Sequence, residues 1–501
     1  MNRETNIQAM RSRPGPFDIL VIGGGSIGLG VALDASLRGY DVALVERGDF
    51  ASGTSSKSTK LIHGGLRYLK QGNISLVKES LRERERLLTN APSLVSPLGF
   101  VIPSANAWTR AYYRLGLAAY DLLAGSKTLA NSSGLSASGV ERLLPYAKAE
   151  FFKGGNLYFD ARFDDARLCL TLATGASRHG AVLANYAAAT GLVKDGDGRV
   201  RGAAVRDEET GETFDIRATV VLNACGPWSD AVRRLDESGA DAMIVPSQGA
   251  HLVFDRAALP GEHAMMIPKT DDGRILFAIP FGQSVIVGTT DTALDRVPDE
   301  PVAMSSEVEF ILRTLNRHVR DPLERSDIRS VFAGIRPLVR SGPATRTSKI
   351  ARNHVVRVSP GSSLVTVTGG KWTTYRQIAQ DAVDACERVG GFEPSRCETS
   401  THSLEPYVPP VFDRPSGERV HDAVDLSDAD IARMVEHEMC RTVEDVLARR
   451  RRLLIEDAAA SLGCAERVAR VLASALGRDA AWIAGEIDRF SRVARACLPP
   501  A

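Results

Sequence analysis

The sequence predicts an α/β protein with an α+β insertion: a dinucleotide-binding domain assembled from separate pieces of chain, an inserted antiparallel sheet and a helical C-terminal domain. Three features predict it. A glycine-ended buried strand, a helix and a second buried strand follow one another from Phe17 to Arg47. Glycine-ended strands recur at VVLNACGPWS and VTVTGGKWTTYR. A Pro-rich stretch, LEPYVPPVFDRP, then precedes a tail with helical apolar spacing.

At about 150 residues per domain, 501 residues exceed one ordinary core. Hydrophobic residues at 44% and charged residues at 25% are the balance of a soluble globular protein. Lys plus Arg is 62 against 61 for Asp plus Glu. That near-neutrality argues against a dedicated nucleic-acid binder, which needs excess positive charge to displace phosphate counterions. Seven cysteines form no CxxC pair and no metal-ligand spacing, so a reduced intracellular protein without a metal site is expected. MNRETNIQAMRSRPGP lacks the apolar core of a secretory signal and reads as a disordered lead-in over residues 1–16. No apolar run approaches the roughly 18 residues of a spanning helix.

FDILVIGGG is a buried strand rich in branched aliphatics and stopped by glycines. SIGLGVALDASLRG has helical spacing (Ile27, Val31, Asp34, Ala35, Arg38), and YDVALVER is a second buried strand. Together they make a βαβ unit, hence a parallel sheet covered by helices. From Ser75 to Asn90 a charged helix turns Leu76, Leu81, Leu87 and Leu88 inward. WTRAYYRLGLAAYDLLAG is the most apolar helix candidate of the mixed region that follows. AVLANYAAAT, RVRGAAVRD and IRATVVLNACG suggest a β-meander. Residues 246–345 hold SQGAHLVF, a hairpin turning at Phe281-Gly282-Gln283, and SVFAGIRPLV, the makings of a separate antiparallel sheet. SLVTVTGG and the helix after it return the chain to the first sheet. In the tail, Ile431, Met434, Val435, Val443, Val446 and Leu447 mark an apolar face.

Gly23-Gly24-Gly25-Ser26-Ile27-Gly28 fits G-x-G-x-x-G. Gly23 permits the tight turn, Gly25 lets backbone approach a pyrophosphate, and Gly28 brings helix and strand together. Glu46 ends the second strand, where a carboxylate accepts both hydroxyls of an adenosine ribose and disfavours a 2′-phosphate. FAD or NAD is therefore preferred to NADP. The loop GDFASGTSSKSTKLIHGGLRYL offers more hydroxyls and amides than a nicotinamide needs, and three glycine-ended strands suit a long buried cofactor. FAD is the expected cofactor. Its candidate partners are Gly23, Gly25, Ser26, Gly28 and Glu46; Thr54, Ser55, Ser58, Lys60, Leu61, His63, Gly64 and Gly65 in the loop; Gly226; and Gly369, Gly370 and Thr373. The expected FAD-binding domain comprises residues 17–95, 150–245 and 346–392, and the substrate domain residues 96–149 and 246–345. A linker over 393–414 and a helical domain over 415–501 complete the chain.

In order along the chain, FDILVIGGGSIGLGVALDASLRGYDVALVER, TSSKSTKLIHGGLRYL, NACGPW, VGTTD, GIRPL and GGKWTTYR resemble the FAD-dependent glycerol-3-phosphate dehydrogenases of the aerobic, quinone-linked type. These are flavoenzymes of the glutathione-reductase-like, D-amino-acid-oxidase-related superfamily. The resemblance runs from about residue 17 to 385 and continues more weakly into the tail. It implies hydride transfer from C2 of sn-glycerol 3-phosphate to N5 of FAD, giving dihydroxyacetone phosphate, with electrons passed to a quinone.

A phosphate dianion needs cationic, preferably bidentate, partners. Arg67 with Tyr68, Arg336, Arg346 and Lys371 occupy the matching motif positions. His63 suits the base for the hydroxyl proton, Arg336 the group that polarises the C2 oxygen, and Lys371 either job. An oxidase delivering electrons to oxygen shares this half-reaction and stays open. An amine or amino-acid oxidase would need one carboxylate clamp instead of a cationic cluster, and a non-catalytic flavin-binding scaffold would show an incomplete cluster.

Two segments bear on membranes. WTRAYYRLGLAAYDLLAG has the make-up of an interfacial helix, or of one buried under the substrate domain. Arg449 to Arg452 offer charge to anionic lipid heads, or form a solvated helix face. With the quinone that the resemblance implies, the expectation is a cytoplasmic protein held peripherally on the inner face of the cytoplasmic membrane. A homodimer through the tail stays open.

Overall fold

The computed structural model describes residues 1–66, 69, 72–127, 129–340, 353–405, 419–421 and 424–500. Arg67, Tyr68 and Arg346 lie outside them. Strand Phe17–Ile22 runs at the centre of the first sheet, parallel to Val42–Val45 on one side and Thr213–Asn223 on the other. Val182–Ala184 extends the sheet beyond Val42–Val45, and Val365–Gly369 beyond Thr213–Asn223. Ile19, Leu20 and Val21 are wholly buried because elements cover both faces of the sheet, which is why this strand reads as an unbroken apolar run. Helix Ser26–Leu37 packs between helices Asp165–Arg178 and Tyr375–Gly390.

The meander is Ala187–Lys194, Val200–Asp207 and Thr213–Asn223. Its last strand serves two partners. Thr213 to Arg217 pair with the meander, and Ala218 to Asn223 pair in parallel with the first strand.

Among the described residues the second sheet has ten strands. Ile244–Asp255 and Ile328–Val339 run antiparallel along nearly their whole length, with Ser247 opposite Arg336 and Gly249 opposite Gly334. Leu276–Phe281 and Ser284–Gly288 form the expected hairpin, turning where Gly282 has φ +57.

Three expectations are corrected. Residues 1–16 carry a docked helix, Arg3–Ser12, capped by the Asn2 side chain on the Thr5 amide. Its polar composition hides one spaced face. Ile7 and Met10 bury against the meander, and Arg3 donates to Asn185 O, Tyr186 O and Asp207 Oδ1 at 2.9, 2.9 and 2.6 Å. Next, strand Gly154–Phe163, expected in the FAD-binding domain, lies in the second sheet. It pairs antiparallel with Val95–Ser104 from Val95↔Phe163 to Ser104↔Gly154, and Phe100 stacks on Tyr158 at 5.1 Å.

The third concerns Arg449 to Arg452. Arg449, Arg450 and Arg452 are only 3%, 3% and 4% exposed, and each meets buried aspartates brought from elsewhere in the chain. They present neither a lipid-facing patch nor a solvated helix face. Around them the tail packs Ile431, Met434, Val443, Val446 and Leu447 with Val468 and Phe490; Val435 is only partly buried. No described helix is long and apolar enough to cross a membrane.

Candidate active site

The glycine turn is built as a cradle. Gly23 has φ +114, and a Cβ there would fall 2.7 Å from Ala224 O, so only glycine fits. Helix Ser26–Leu37 starts at Gly25 with no side-chain cap, and the Ser26 amide meets Ser55 Oγ at 2.9 Å. The dipole and first-turn amides of such a helix start suit a phosphate. Glu46 accepts the Gly24 and Gly48 amides at 2.6 and 2.8 Å, which fixes its carboxylate at the strand end. A positive-φ glycine packed on the neighbouring strand, an uncapped helix start and a fixed acid fit a dinucleotide.

Glu46→Ala is expected to leave the fold intact and to weaken cofactor retention. Gel filtration in dilute buffer, followed by the flavin-to-protein absorbance ratio, checks this. Stoichiometric flavin after that step would remove Glu46 from the ribose.

A cavity of about 260 Å³ opens where the first sheet meets the second. Thr54, Ser58, Leu61, His63 and Gly65 line it from the loop, Arg336 from strand Ile328–Val339, and Gly370, Lys371 and Thr373 from beyond Val365–Gly369. The third glycine-ended strand closes against the loop: the Thr373 hydroxyl takes the His63 amide at 3.3 Å and donates to His63 O at 3.4 Å. Trp372 Nε1 donates to Ser55 O at 2.9 Å. Thr54 Oγ1 reaches Ile335 O at 2.5 Å and ties the loop to the Arg336 strand.

Arg336 is oriented by its own neighbours. Nη2 donates to Thr289 Oγ1 at 2.9 Å, Nη1 donates to Gln248 O at 3.2 Å, and Asp291 lies 3.9 Å away. Gly249 makes room for it, because a Cβ at that position would collide with the guanidinium. Lys371 donates to Ser80 Oγ. Gly226 and Gly369 sit at strand ends with φ +53 and +83. Gly64 donates its amide to Asp160 Oδ1 at 3.2 Å.

The Lys60 side chain, expected against the cofactor, is spent on a buried aspartate. Its ammonium is fully buried and donates to Asp165 Oδ2 and Ser56 O, both at 2.6 Å. A loop residue at positive φ, here +59, turns its side chain beneath the loop. Cys225 donates to Ile22 O at 3.3 Å, and burial pushes its thiol up, as suits a packing residue.

Residues that sequence reading missed complete the wall: Lys57, Arg274, His251, Thr289 and Asp291. His251 stacks on Phe332 at 4.6 Å and meets Thr59 Oγ1 through Nε2 at 3.0 Å. Burial, then the charges of Arg336 and Lys60, push its pKa well below the ordinary value and keep the ring neutral. Thr289 and Asp291 belong to the VGTTD motif, a signal already in the sequence. His251 carried none, because only the non-local pairing of Ile244–Asp255 brings it to Arg336.

A family model described as FAD dependent oxidoreductase matches residues 18–376, and one described as the C-terminal domain of alpha-glycerophosphate oxidase matches 397–482. Glycerol-3-phosphate dehydrogenase 2 of Mycobacterium bovis is 38% identical over 518 aligned positions, covering 94% of this chain and 86% of its own. The chain belongs to the glycerol-3-phosphate dehydrogenases of the FAD-dependent oxidoreductase family.

FAD is the cofactor of this family, and the cradle from Gly23 to Gly28 with Glu46 fits it. The mitochondrial glycerol-3-phosphate dehydrogenase of Mus musculus is 42% identical over 411 residues, covering 79% of this chain and 56% of its own. The chain thus spans little more than half the length of such relatives. The glycerol-3-phosphate dehydrogenase of Bacillus halodurans, solved with FAD, superposes with a TM-score of 0.80 at 27% identity over 99% of this chain and 98% of its own. The L-α-glycerophosphate oxidase of Mycoplasma pneumoniae shares the fold, with a TM-score of 0.59 at 20% identity over 77% and 98%.

Proposed function

We propose that this dehydrogenase oxidises sn-glycerol 3-phosphate at C2 to dihydroxyacetone phosphate and passes the electrons to a quinone. What carries the reading is one cavity in an FAD-dependent fold on which Lys57, Arg274, Arg336 and Lys371 converge with His63 and His251. A carboxylate substrate needs one clamp; Arg336 and Lys371, with Lys57 and Arg274 beside their carboxylate partners Glu300, Asp272 and Asp291, suit a dianion. Bound FAD supplies the hydride acceptor.

The chain's own residues do the rest. Arg336, with its guanidinium already held by Thr289 and Gln248, stabilises negative charge on the C2 oxygen without reorganising. His63 takes the hydroxyl proton at its imidazole, with Lys371 as the other candidate base. Arg67, Tyr68 and Arg346 enter the phosphate site by family resemblance.

Anaerobic mixing of the purified protein with sn-glycerol 3-phosphate tests this, with flavin absorbance as the readout. Bleaching is the expected result; a flavin that stays oxidised would overturn the substrate. Reoxidation by a soluble quinone without peroxide supports the dehydrogenase. Stoichiometric peroxide in air would favour the oxidase, the reading to which the C-terminal match lends weight.

The quinone implies a membrane, and helix Ala107–Ala124 supplies a surface for one. Trp108, Leu115 and Leu122, each two turns apart, are 81%, 75% and 82% exposed, with Tyr112 half-exposed on the same stripe. Trp108→Asp with Leu122→Asp is expected to abolish co-sedimentation with anionic vesicles while leaving turnover with a soluble acceptor unchanged. Vesicle binding that survives both charges would move the contact elsewhere.

A further inference from the structure

The Ser58–Lys60 segment, whose Ser58 and Thr59 line the cavity, hangs on a single buried carboxylate. Asp165, at the start of helix Asp165–Arg178, is wholly buried. Its Oδ2 accepts the Ser58 amide at 3.2 Å, the Ser58 hydroxyl at 2.6 Å and the Lys60 ammonium at 2.6 Å. Its Oδ1 accepts the Ala166 amide at 2.8 Å and Arg452 Nη2 at 2.7 Å. Arg452 comes from the helical C-terminal domain, and among the described residues no other arginine of that domain pairs with Asp165.

The surroundings of Arg452 set it apart from an ordinary structural pair. Its backbone is left-handed, with φ +67, and its side chain is 4% exposed. Two of its buried donors, Nε and Nη1, have no hydrogen-bond partner among the described residues, although Nη1 lies 3.8 Å from Asp164 Oδ1. Leaving buried donors unspent is costly, and packing alone would be served better by an apolar side chain. The same short turn also supports the opposite wall. Ile455 packs on Phe332, the ring on which His251 stacks, and His251 meets Thr59 between the two anchored loop residues.

We infer that Arg452 is a positioning residue for the flavin site: acting through Asp165, it holds the Ser58–Lys60 loop in its cofactor-facing geometry and so makes FAD binding depend on the C-terminal domain. The inference rests on the proposed flavoprotein reading and adds to it a residue remote from the cavity. Without the guanidinium, Asp165 keeps the Lys60 charge but loses its tether to the second domain, and Ser58 and Thr59 lose a fixed reference. A charge-assisted hydrogen bond lost at such a joint, fully transmitted, weakens FAD binding by roughly tenfold or more.

The test uses the full chain stripped of flavin and retitrated with FAD, reading the Kd and the visible absorbance of the bound flavin. Arg452→Met is expected to raise the Kd about tenfold and shift the flavin bands, with Arg452→Lys falling between it and the wild type. Arg441→Gln is the control. Arg441 makes another largely buried domain contact, to Glu209 at 2.6 and 2.7 Å, without touching Asp165. It is expected to lower thermal stability without altering the flavin spectrum.

A wild-type Kd and spectrum in Arg452→Met would overturn the inference, and so would identical flavin changes in Arg441→Gln. If Arg452→Met is insoluble, Arg452→Lys carries the test, since the shorter lysine stem does not bring its ammonium to the Asp165 Oδ1 that Nη2 reaches; a variant indistinguishable from wild type then overturns it. A wild-type chain that takes up no FAD overturns the flavoprotein reading instead.

Discussion

Arg336→Lys should retain FAD with an unchanged absorbance spectrum and lose about a hundredfold or more in kcat/KM for sn-glycerol 3-phosphate. The reason is geometric. The guanidinium spends Nη2 on Thr289 Oγ1 and Nη1 on Gln248 O, and these bonds fix its plane on the cavity wall. An ammonium on a shorter stem makes either the wall contacts or the substrate contact, and it cannot present two parallel N–H groups to one oxygen pair. Gly249 sharpens the point, because the space beside Arg336 is shaped to a planar group. Steady-state kinetics with a soluble acceptor, alongside the flavin spectrum, provide the check. Loss of turnover with KM unchanged would mean that Arg336 acts on the transition state; a raised KM with kcat retained would make it a phosphate anchor. Near-normal values of both would take Arg336 out of the site.

The parts of this site that were legible in the sequence are those written locally. Gly23 to Gly28 and Glu46 lie within one βαβ unit, and strand, turn, helix and strand follow from spacing alone. Arg336 and Lys371 were legible for a different reason: each stands in a short motif flanked by glycine or proline, GIRPL and GGKWTTYR. What escaped was written in pairings. Nothing in the run Gly154–Phe163 states that its partner is Val95–Ser104 instead of a strand of the parallel sheet. Lys60 carries the same ambiguity, since a lysine in a hydroxyl-rich loop reads as a phosphate ligand until Asp165 is found beneath it. His251 reads as an ordinary strand residue until register sets it on the same wall as Arg336.

Asp49→Asn should destabilise the protein by about 3–5 kcal/mol, far more than its single lost charge suggests. Asp49 follows the Glu46 turn and is wholly buried. It accepts Arg449 Nε at 2.5 Å, the Arg450 guanidinium, and the Asn185 side-chain amide at 3.1 Å. Arg449 continues to Asp445 at 2.6 Å, and Asp445 takes the Tyr186 hydroxyl at 2.6 Å.

Burial works against the Arg450 charge, yet Asp49, with Cys440 and Asp445, outweighs it and holds the guanidinium more firmly protonated. An asparagine there removes the buried carboxylate that both guanidiniums share and leaves Arg449 to Asp445 and Glu444, and Arg450 to Glu438 alone. The cluster is therefore a lock between the turn after Glu46 and the helical tail, which a count of ion pairs would not distinguish from the exposed Arg492–Asp488 pair. Asp488→Asn is expected to change nothing measurable, because solvent already screens that pair. Thermal and urea denaturation of both variants separates the cases, with limited proteolysis of the tail as a second readout. If Asp49→Asn and Asp488→Asn are equally benign, the buried arginines pack the tail without locking it.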